Sequence, residues 1–588
     1  MLAVVVGLFT GVVILLFRAS IETLLGLWIL PDGSESFEAL LLAERFALPV
    51  FGAAIIGLTL TRMDPGERRV GVVHVMERLS RHQGYLPVKN AVVQFFGGIL
   101  ALVTGQSGGR EGPAVHLGAA SASLLGQAMN LPNNSIRVLV ACGVAAAIAG
   151  SFNTPLAGVI FAMEVVMMEY TLGSFIPVII ASVVTTVMSQ FFFGQQPAFS
   201  ITAQNMSSLM ELPYILLAGL IVGCVASAFI STVQAFARLT RLPFWTRALL
   251  AGVLTGLAAL VAPEVMGIGY DTVSEAMLGQ IALGGLLMIV VLKIITSGAA
   301  VGLGMPVGLI GPTFVVGAAL GGVLGYLGNY LQPGAGVSVA LYVMLGMTAM
   351  MAAVLQAPLA ALMAVLELTA NPSLMLPAML IIVVATLTTS VLFGQKSVFL
   401  STLDTLGLKY PPDPVTAHLQ RAGVASIMNR ALVRLEERPT LEAARTAMTQ
   451  QPLWVVVEST PGEIRCVLRA SDLRVYLQKL AEQELAEQKL TERNAEPEAG
   501  EHEEQGQEQQ EREQEGEEVA VVDLLEIPGQ RLDAANLDHR ANLAEAQTAL
   551  NEPQIEVLCV RRTAAPMIES VIGIITQQDI DSYREPVA

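Results

Sequence analysis

"TGQSGGREGPAVHLGAA", Thr104 to Ala120, is the stretch on which the reading of the whole chain turns. Gly105-Gln106-Ser107-Gly108-Gly109 fits the G-x-S-x-G pattern of a serine hydrolase elbow, with Ser107 as the nucleophile. Shifted by a few residues, Gly109-Arg110-Glu111-Gly112-Pro113 puts a charged pair where a helix begins. An elbow needs a strand before the serine and a histidine within reach. The preceding "VVQFFGGILALV" (92–103) reads better as an apolar helix, and His116 is the only nearby histidine. The flanks therefore favour an ion site over a nucleophile.

The rest of the chain supports that choice. Of 588 residues, 53% are hydrophobic and only 14% charged, with a mean hydropathy of +0.60. A soluble enzyme of this size would carry about 25% charged residues. The apolar surplus lies in roughly the first 400 residues, in spans of about 20 with short breaks, which predicts a polytopic membrane domain of well over ten helices. "MLAVVVGLFTGVVILLF" lacks a basic start and an A-x-A-like site, so it reads as the first membrane helix and not as a cleaved signal. Cys142, Cys224, Cys466 and Cys559 form no CxxC pair, and the six histidines lack metal-ligand spacing, so neither a disulfide framework nor a metal site is expected. The net charge of −17 is local in origin. Between Glu482 and Glu518, 15 Glu stand against Lys489, Arg493 and Arg512, which supplies −12 of it. That segment marks a linker and argues against nucleic acid as a partner.

Two basic connections set the orientation. Arg62, Arg68, Arg69, Arg78, Arg81 and Lys89 crowd one, and Arg238, Arg241 and Arg247 another. Both are expected to face the cytoplasm, and "FSITAQNMSSLMELP" (199–213), without Lys or Arg, the outside. The two halves of the membrane part also repeat. "SFNTPLAGVIFAMEVV" (151–166) resembles "VLQAPLAALMAVLELT" (354–369), and Pro155–Glu164 and Pro358–Glu367 have the same spacing. "EGPAVHLGAA" (111–120) resembles "IGPTFVVGAA" (310–319). Paired halves of this kind place the site of a transporter or channel at the repeat interface. Glu164 and Glu367, at matching positions, are expected to be caps or interhelical hydrogen-bond partners.

Past about residue 410 the composition becomes that of a soluble α/β protein. "TLEAARTAMTQQPLWVVVEST" (440–460) is matched by "NLAEAQTALNEPQIEVLCVRRT" (542–563), and each is followed by a strand and a helix, "CVLRASDLRVYL" (466–477) and "VIGIITQQDIDSY" (571–583). The second copy resembles the CBS (cystathionine β-synthase-type) signature. The tail thus reads as a tandem pair, 421–480 and 519–586, split by an acidic Glu/Gln-rich insertion at 481–518 that cannot bury a core.

In the membrane part, the physics centres on Glu111. Flanking glycines let a backbone approach a ligand, and Pro113 fits a helix start. A helix N-terminus carries roughly +0.5 charge and in hydrocarbon needs a partner. "GLIGPTFVVGAALGG" (308–322) offers a second such end with no acid. Two ends facing each other would hold an anion on backbone N–H groups, with Glu111 competing for the place. Arg110 would either pair with another side chain or raise the local positive potential.

These residues resemble the CLC family of chloride channels and proton-coupled chloride exchangers. Gly109-Arg110-Glu111-Gly112-Pro113 matches its G-[KR]-E-G-P motif, "GSFNTPLAGVIFAME" the helices that follow, and "GLIGPTFVVGAALG" its G-x-F-x-P segment. A CBS pair after the membrane domain is also a family arrangement. The resemblance implies an all-α polytopic membrane domain with an inverted-topology internal repeat over 1–409, followed by α/β tandem CBS domains. It implies Glu111 as the gating residue, and anions held mostly by backbone near Arg110, Gly112, Leu309 and Ile310. It also implies a multi-pass homodimer in the cell membrane, with the CBS pair in the cytoplasm. No enzyme activity and no required cofactor follow from it. The CBS pair is a candidate adenine-nucleotide site, with Thr576, Asp579 and Asp472 as contacts. Four positions depart from the pattern. Val70 stands where the family has a serine hydroxyl, Phe399 where it has a tyrosine, Ile310 where it has a phenylalanine, and Val165 where the exchangers have an inner glutamate. Chloride or another small anion, with or without protons, is the expected cargo. The alternatives are a carrier of a non-chloride solute, an intramembrane hydrolase at Ser107, and a nucleotide sensor merely anchored in the bilayer.

Overall fold

The computed structural model describes all residues except 31–36, 196–205, 207–210, 332–337, 409, 411–413, 461, 495–519, 566–567 and 585–588. The outer connection read at 199–213 and most of the acidic insertion fall largely outside the described residues. The chain divides into two units, one of residues 1–131 and 135–412, the other of residues 132–134 and 413–588.

The first unit is helical. Its helices are α1 (Leu2–Leu24), α2 (Leu42–Thr61), α3 (Gly71–Arg81), α4 (Val88–Val103), α5 (Glu111–Ala128), α6 (Asn133–Phe152), α7 (Pro155–Phe161), α8 (Leu172–Phe193), α9 (Leu212–Ala237) and α10 (Phe244–Ala259). They continue with α11 (Tyr270–Met277), α12 (Leu283–Gly302), α13 (Ile310–Leu331), α14 (Val339–Leu355), α15 (Pro358–Thr369), α16 (Met375–Leu387) and α17 (Val398–Thr405). Among the described residues, 8 helical stretches are long and apolar enough to cross a membrane, with shorter apolar helices between them. The sequence suggested more full spans, because several apolar runs are broken by Gly-Pro and Pro-Leu-Ala steps into shorter helices. "MLAVVVGLFTGVVILLF" lies within α1, as expected.

The internal repeat is visible in detail. α5, α6 and α7 correspond to α13, α14 and α15. Asn153 and Gln356, each two residues before the proline that opens α7 or α15, share the left-handed conformation, at φ 62° and 52°. A side chain on Gly118 would run into the Gly143 carbonyl, and one on Gly317 into that of Gly346, so each helix pair touches backbone to backbone at the same place. Small residues at such crossings are how membrane helices approach closely. Gly109 and Gly308 join the two halves by an antiparallel pair of N–H···O bonds of 2.8 and 2.7 Å. Glu164 accepts from the N–H groups of Leu359 (3.2 Å) and Ala360 (2.7 Å) at the head of α15. Glu367 accepts from Leu156 (2.9 Å) and Ala157 (2.8 Å) at the head of α7. Each repeat thus caps a helix of the other, which is the capping and interhelical role read from the matched spacing.

The second unit holds α18 (Pro414–Gln420), β1 (Leu432–Glu436), α19 (Leu441–Thr449), β2 (Trp454–Thr460), β3 (Glu463–Arg469) and α20 (Ala470–Asn494). Then come β4 (Arg531–Leu532), β5 (Ala534–Asp538), α21 (Leu543–Leu550), β6 (Val557–Ala565), β7 (Ile568–Thr576) and α22 (Gln577–Arg584). The sheets are β1-β2-β3-β4 and β5-β6-β7. In both, the first pair is parallel and the next antiparallel, the same β-α-β-β-α order twice. The boundaries are less simple than 421–480 and 519–586. Val522, Leu524 and Ile527 pack in the first core, and β4 pairs with β3 through Val467–Leu532. Leu419, Val424 and Met428 pack in the second core, and Asn429 bridges to Ile574. Each copy therefore completes its core with a segment that precedes the other copy. The insertion begins as helix, since α20 runs on to Asn494.

Candidate functional site

Four helices turn their N-terminal ends to one cavity of about 510 Å³. Val70 to Val73 come from the head of α3, Gly112 from α5, Leu309 and Ile310 from α13, and Phe399 and Thr402 from α17. The first N–H groups of a helix have no partner inside it, so each head presents donors and a partial positive charge. Local sequence fixes the four heads. Gly71 takes φ 79° and gives its N–H to Gln94 Oε1 at 2.8 Å, while Gln94 Nε2 holds the Pro306 carbonyl at 3.1 Å. The Gly109–Gly308 bridge sets the heads of α5 and α13 side by side. Ser397 Oγ caps α17 at Leu400 N, 3.2 Å away. Arg68, Arg69 and Arg247, from the two basic connections, also line the cavity. Arg68 and Arg247 both lie over the Phe244 ring, at 5.6 and 5.3 Å.

Glu111 heads α5 and is fully buried. Its Oε2 accepts the Gly311 N–H at 3.1 Å, at the head of α13, and its Oε1 accepts the Tyr270 hydroxyl. The carboxylate therefore occupies the amide-rich end of the facing repeat, and a helix end of this kind favours negative charge. Tyr270 opens α11 after Gly267 and Gly269, at φ 56° and 85°. Sequence reasoning passed over it. A tyrosine placed directly after a glycine turn, in "MGIGYDT" (266–272), was the available signal.

The other residues singled out from the sequence sort clearly. Val70, Gly112, Leu309, Ile310 and Phe399 come together on the cavity. The Arg110 side chain is engaged elsewhere, at 3.5 Å from Glu22 and 3.3 Å from the Ser151 carbonyl, so it pairs with its neighbours instead of facing the cavity. Ser107 Oγ accepts from Thr296 Oγ1 at 2.9 Å and shares a hydrogen with Ser297 Oγ at 2.8 Å, while His116 Nε2 meets His74 Nδ1 at 2.9 Å. The serine and histidine that a hydrolase would pair thus have other partners, and the elbow reading is corrected: Ser107 binds helix α12. In the second unit, Asp579 Oδ2 accepts from both the N–H and the hydroxyl of Thr576 at 2.8 Å, an N-terminal cap on α22. Asp472 Oδ1 accepts from Ser471 Oγ at 3.2 Å at the start of α20.

Comparison with known proteins agrees with this geometry. The profile of the voltage gated chloride channel family matches residues 52–390. The putative chloride channel protein ClcB-like of Ralstonia nicotianae is 32% identical over 344 residues, 57% of this chain and 80% of that protein. The H(+)/Cl(-) exchange transporter ClcA of Yersinia pseudotuberculosis is 28% identical over 405 residues, 67% of this chain and 85% of that one. Among solved structures, a slow cyanobacterial Cl-/H+ antiporter shares the fold at TM-score 0.61 and 22% identity, covering 69% of this chain and 97% of its own. A CLC-type fluoride/proton antiporter does so at 0.57 and 23%, covering 68% and 96%. With the matched profile spanning more than half its length and the Glu111 site lying inside it, the chain belongs to the voltage gated chloride channel family.

Proposed function

We propose that the protein carries chloride, or a small anion like it, across a membrane through the cavity where the four helix heads meet, with Glu111 as the movable plug. The observation that carries this reading is the Glu111 carboxylate bound to the Gly311 N–H at the head of α13. Ionised, it neutralises that amide-rich end and excludes an anion. Protonated, it loses its claim on the donors, and an anion takes its place. The side chains of Val70, Ile310 and Phe399 supply no donor, so the N–H groups of the helix heads and the guanidinium groups of Arg68, Arg69 and Arg247 are the features of the cavity that favour small anions of either halide or oxyanion type. The cavity is rimmed by both basic connections, so we place its mouth in the cytoplasm.

Proton coupling belongs to the same reading, since the plug is itself a proton acceptor. Reconstitution in liposomes tests it, with an anion series and simultaneous proton recording. Anion flux that moves protons supports an exchanger, anion flux alone a channel, and flux of a cation or neutral solute would overturn the assignment. We further take the protein to be a homodimer of the cell membrane with one pathway per subunit, a reading that rests on the family resemblance. The C-terminal pair has the repeated order expected of CBS domains and lies in the cytoplasm on this reading. An adenine nucleotide bound there would regulate transport, contacting Asp472, Thr576 and Asp579. Equilibrium binding of labelled ATP to the purified protein tests that part.

A further inference from the structure

A fully buried lysine stands behind the plug. Lys293 lies in the middle of α12, and none of it is exposed. An ammonium in an apolar bundle is costly unless it is bonded, and an ionisable residue inside a membrane domain points to a role in function. Its Nζ donates to the carbonyls of Val265 and Gly267, each at 3.1 Å. Those carbonyls belong to the glycine turn that leads into Tyr270, whose hydroxyl holds Glu111. Gly269, at φ 85°, lies so near that a Cβ there would come within 3.4 Å of the ammonium.

The same turn is tied to the loop that leads into Glu111. The Gly267 carbonyl also accepts the Gly108 N–H at 3.3 Å, and the Gly267 N–H donates to the Gly105 carbonyl at 3.4 Å. Ser107, between those glycines, bonds to Thr296 and Ser297 of α12. Lys293, Thr296 and Ser297 are spaced i, i+3, i+4 and so share one face of that helix. One face of α12 therefore anchors both approaches to the plug, the Gly-x-Ser-x-Gly loop before α5 and the glycine turn before α11. The titratable groups on the elements around the plug have other partners. Arg110 lies 3.5 Å from Glu22, Glu22 is bonded to Arg18 at 2.7 Å, and His74 and His116 bond to each other. Glu264 and Asp271 stand at the two ends of the turn, and Asp271 Oδ1 accepts from the Thr272 N–H at 2.7 Å.

We propose that Lys293 is a positioning residue for the plug: by holding the Val265 and Gly267 carbonyls, it sets the Tyr270 hydroxyl where that hydroxyl binds ionised Glu111, and so favours closure. This rests on the reading of Glu111 as the plug, but not on whether the protein is a channel or an exchanger.

Chloride flux in liposomes of the purified full chain, followed against pH, tests this. Lys293→Met is neutral and of similar length. It should raise flux at alkaline pH and move the midpoint to higher pH, toward the Tyr270→Phe value, by up to about one pH unit for a tenfold looser hold. Lys293→Met combined with Tyr270→Phe should match Tyr270→Phe alone, because a residue that acts through Tyr270 then has nothing left to move. Lys293→Arg keeps a cation with several donors and should stay near the wild-type midpoint. Lys293→Gln can donate to one carbonyl and should shift the midpoint partway, which carries the same test where the Met variant does not fold. Neutral variants with an unmoved midpoint overturn the inference. So does a Lys293→Met shift that is undiminished beside Tyr270→Phe, since that marks a charge acting through space or a general loosening. A Tyr270→Phe profile equal to wild type's overturns it too. Wild-type flux with no pH dependence overturns the plug reading itself, and this inference with it.

Discussion

The Glu111 carboxylate lies 3.1 Å from the Gly311 amide, so the first residue of one repeat's helix plugs the first turn of the other's. Replacing Glu111 by Gln leaves a side chain of the same size that cannot ionise. Anion flux in Glu111→Gln liposomes should persist and lose its dependence on pH. Flux that still falls as the pH is raised would remove Glu111 from the gating role.

Tyr270 supplies the other hold on the plug through its hydroxyl. A hydrogen bond to a charged group contributes about 1.5–3 kcal/mol. Tyr270→Phe should therefore loosen the closed state by about tenfold or more. Flux at alkaline pH, where wild type is most closed, should rise, with the pH midpoint displaced toward higher pH. An unchanged profile would show that the Gly311 N–H suffices alone.

The reciprocal caps are a stability matter. Glu164 and Glu367 each satisfy two N–H groups at a helix head. Glu367→Leu should cost about 1–3 kcal/mol by leaving these donors unmet. Thermal unfolding in detergent reads the loss, and Glu164→Leu should show a matching one.

Close helix crossings should tolerate no bulk. Gly317→Val would press a branched side chain against the Gly346 carbonyl and Met347 backbone. Such overpacking falls in the severe class of substitutions, above about 4 kcal/mol. The expected outcome is little monodisperse protein on size-exclusion chromatography, with Gly118→Val behaving alike.

In the second unit, burial pushes the Cys559 thiol up to about 12. The folded protein therefore keeps its proton where the unfolded chain, with a thiol near about 8.5, gives it up. Stability from this group is complete below about pH 8.5 and falls as pH rises toward the folded value. Iodoacetamide at mildly alkaline pH should leave Cys559 unmodified in the native protein and label it once urea is added. Rapid labelling without urea would contradict its burial.

Much of this was legible beforehand because it is written in short-range chemistry. Gly-Arg-Glu-Gly-Pro is a helix head whatever surrounds it, and two Pro-Leu-Ala steps at equal distance from a glutamate announced a repeat. Val70, Leu309, Ile310 and Phe399 met as expected because each sits at the start of a helix. What stayed hidden depends on tertiary proximity. Tyr270 reaches Glu111 across 159 residues and His74 reaches His116 across 42, and no periodicity encodes either meeting. Arg110 pointed away because Glu22, far upstream, supplied its countercharge. The exchanged segments of the second unit escaped notice because sequence similarity marks the repeated strands and says nothing of which core a connecting peptide joins.

The crossed glutamates carry a consequence for biogenesis. As the chain leaves the ribosome, the amides at Leu156 and Ala157 emerge about 210 residues before Glu367, the carboxylate that will cover them. The leading half must wait in the bilayer with an open end, shielded by lipid headgroups, water or the insertion machinery. Neither half is finished until both are made, so a truncation after the first repeat should yield an orphan that quality control removes, not a smaller working unit.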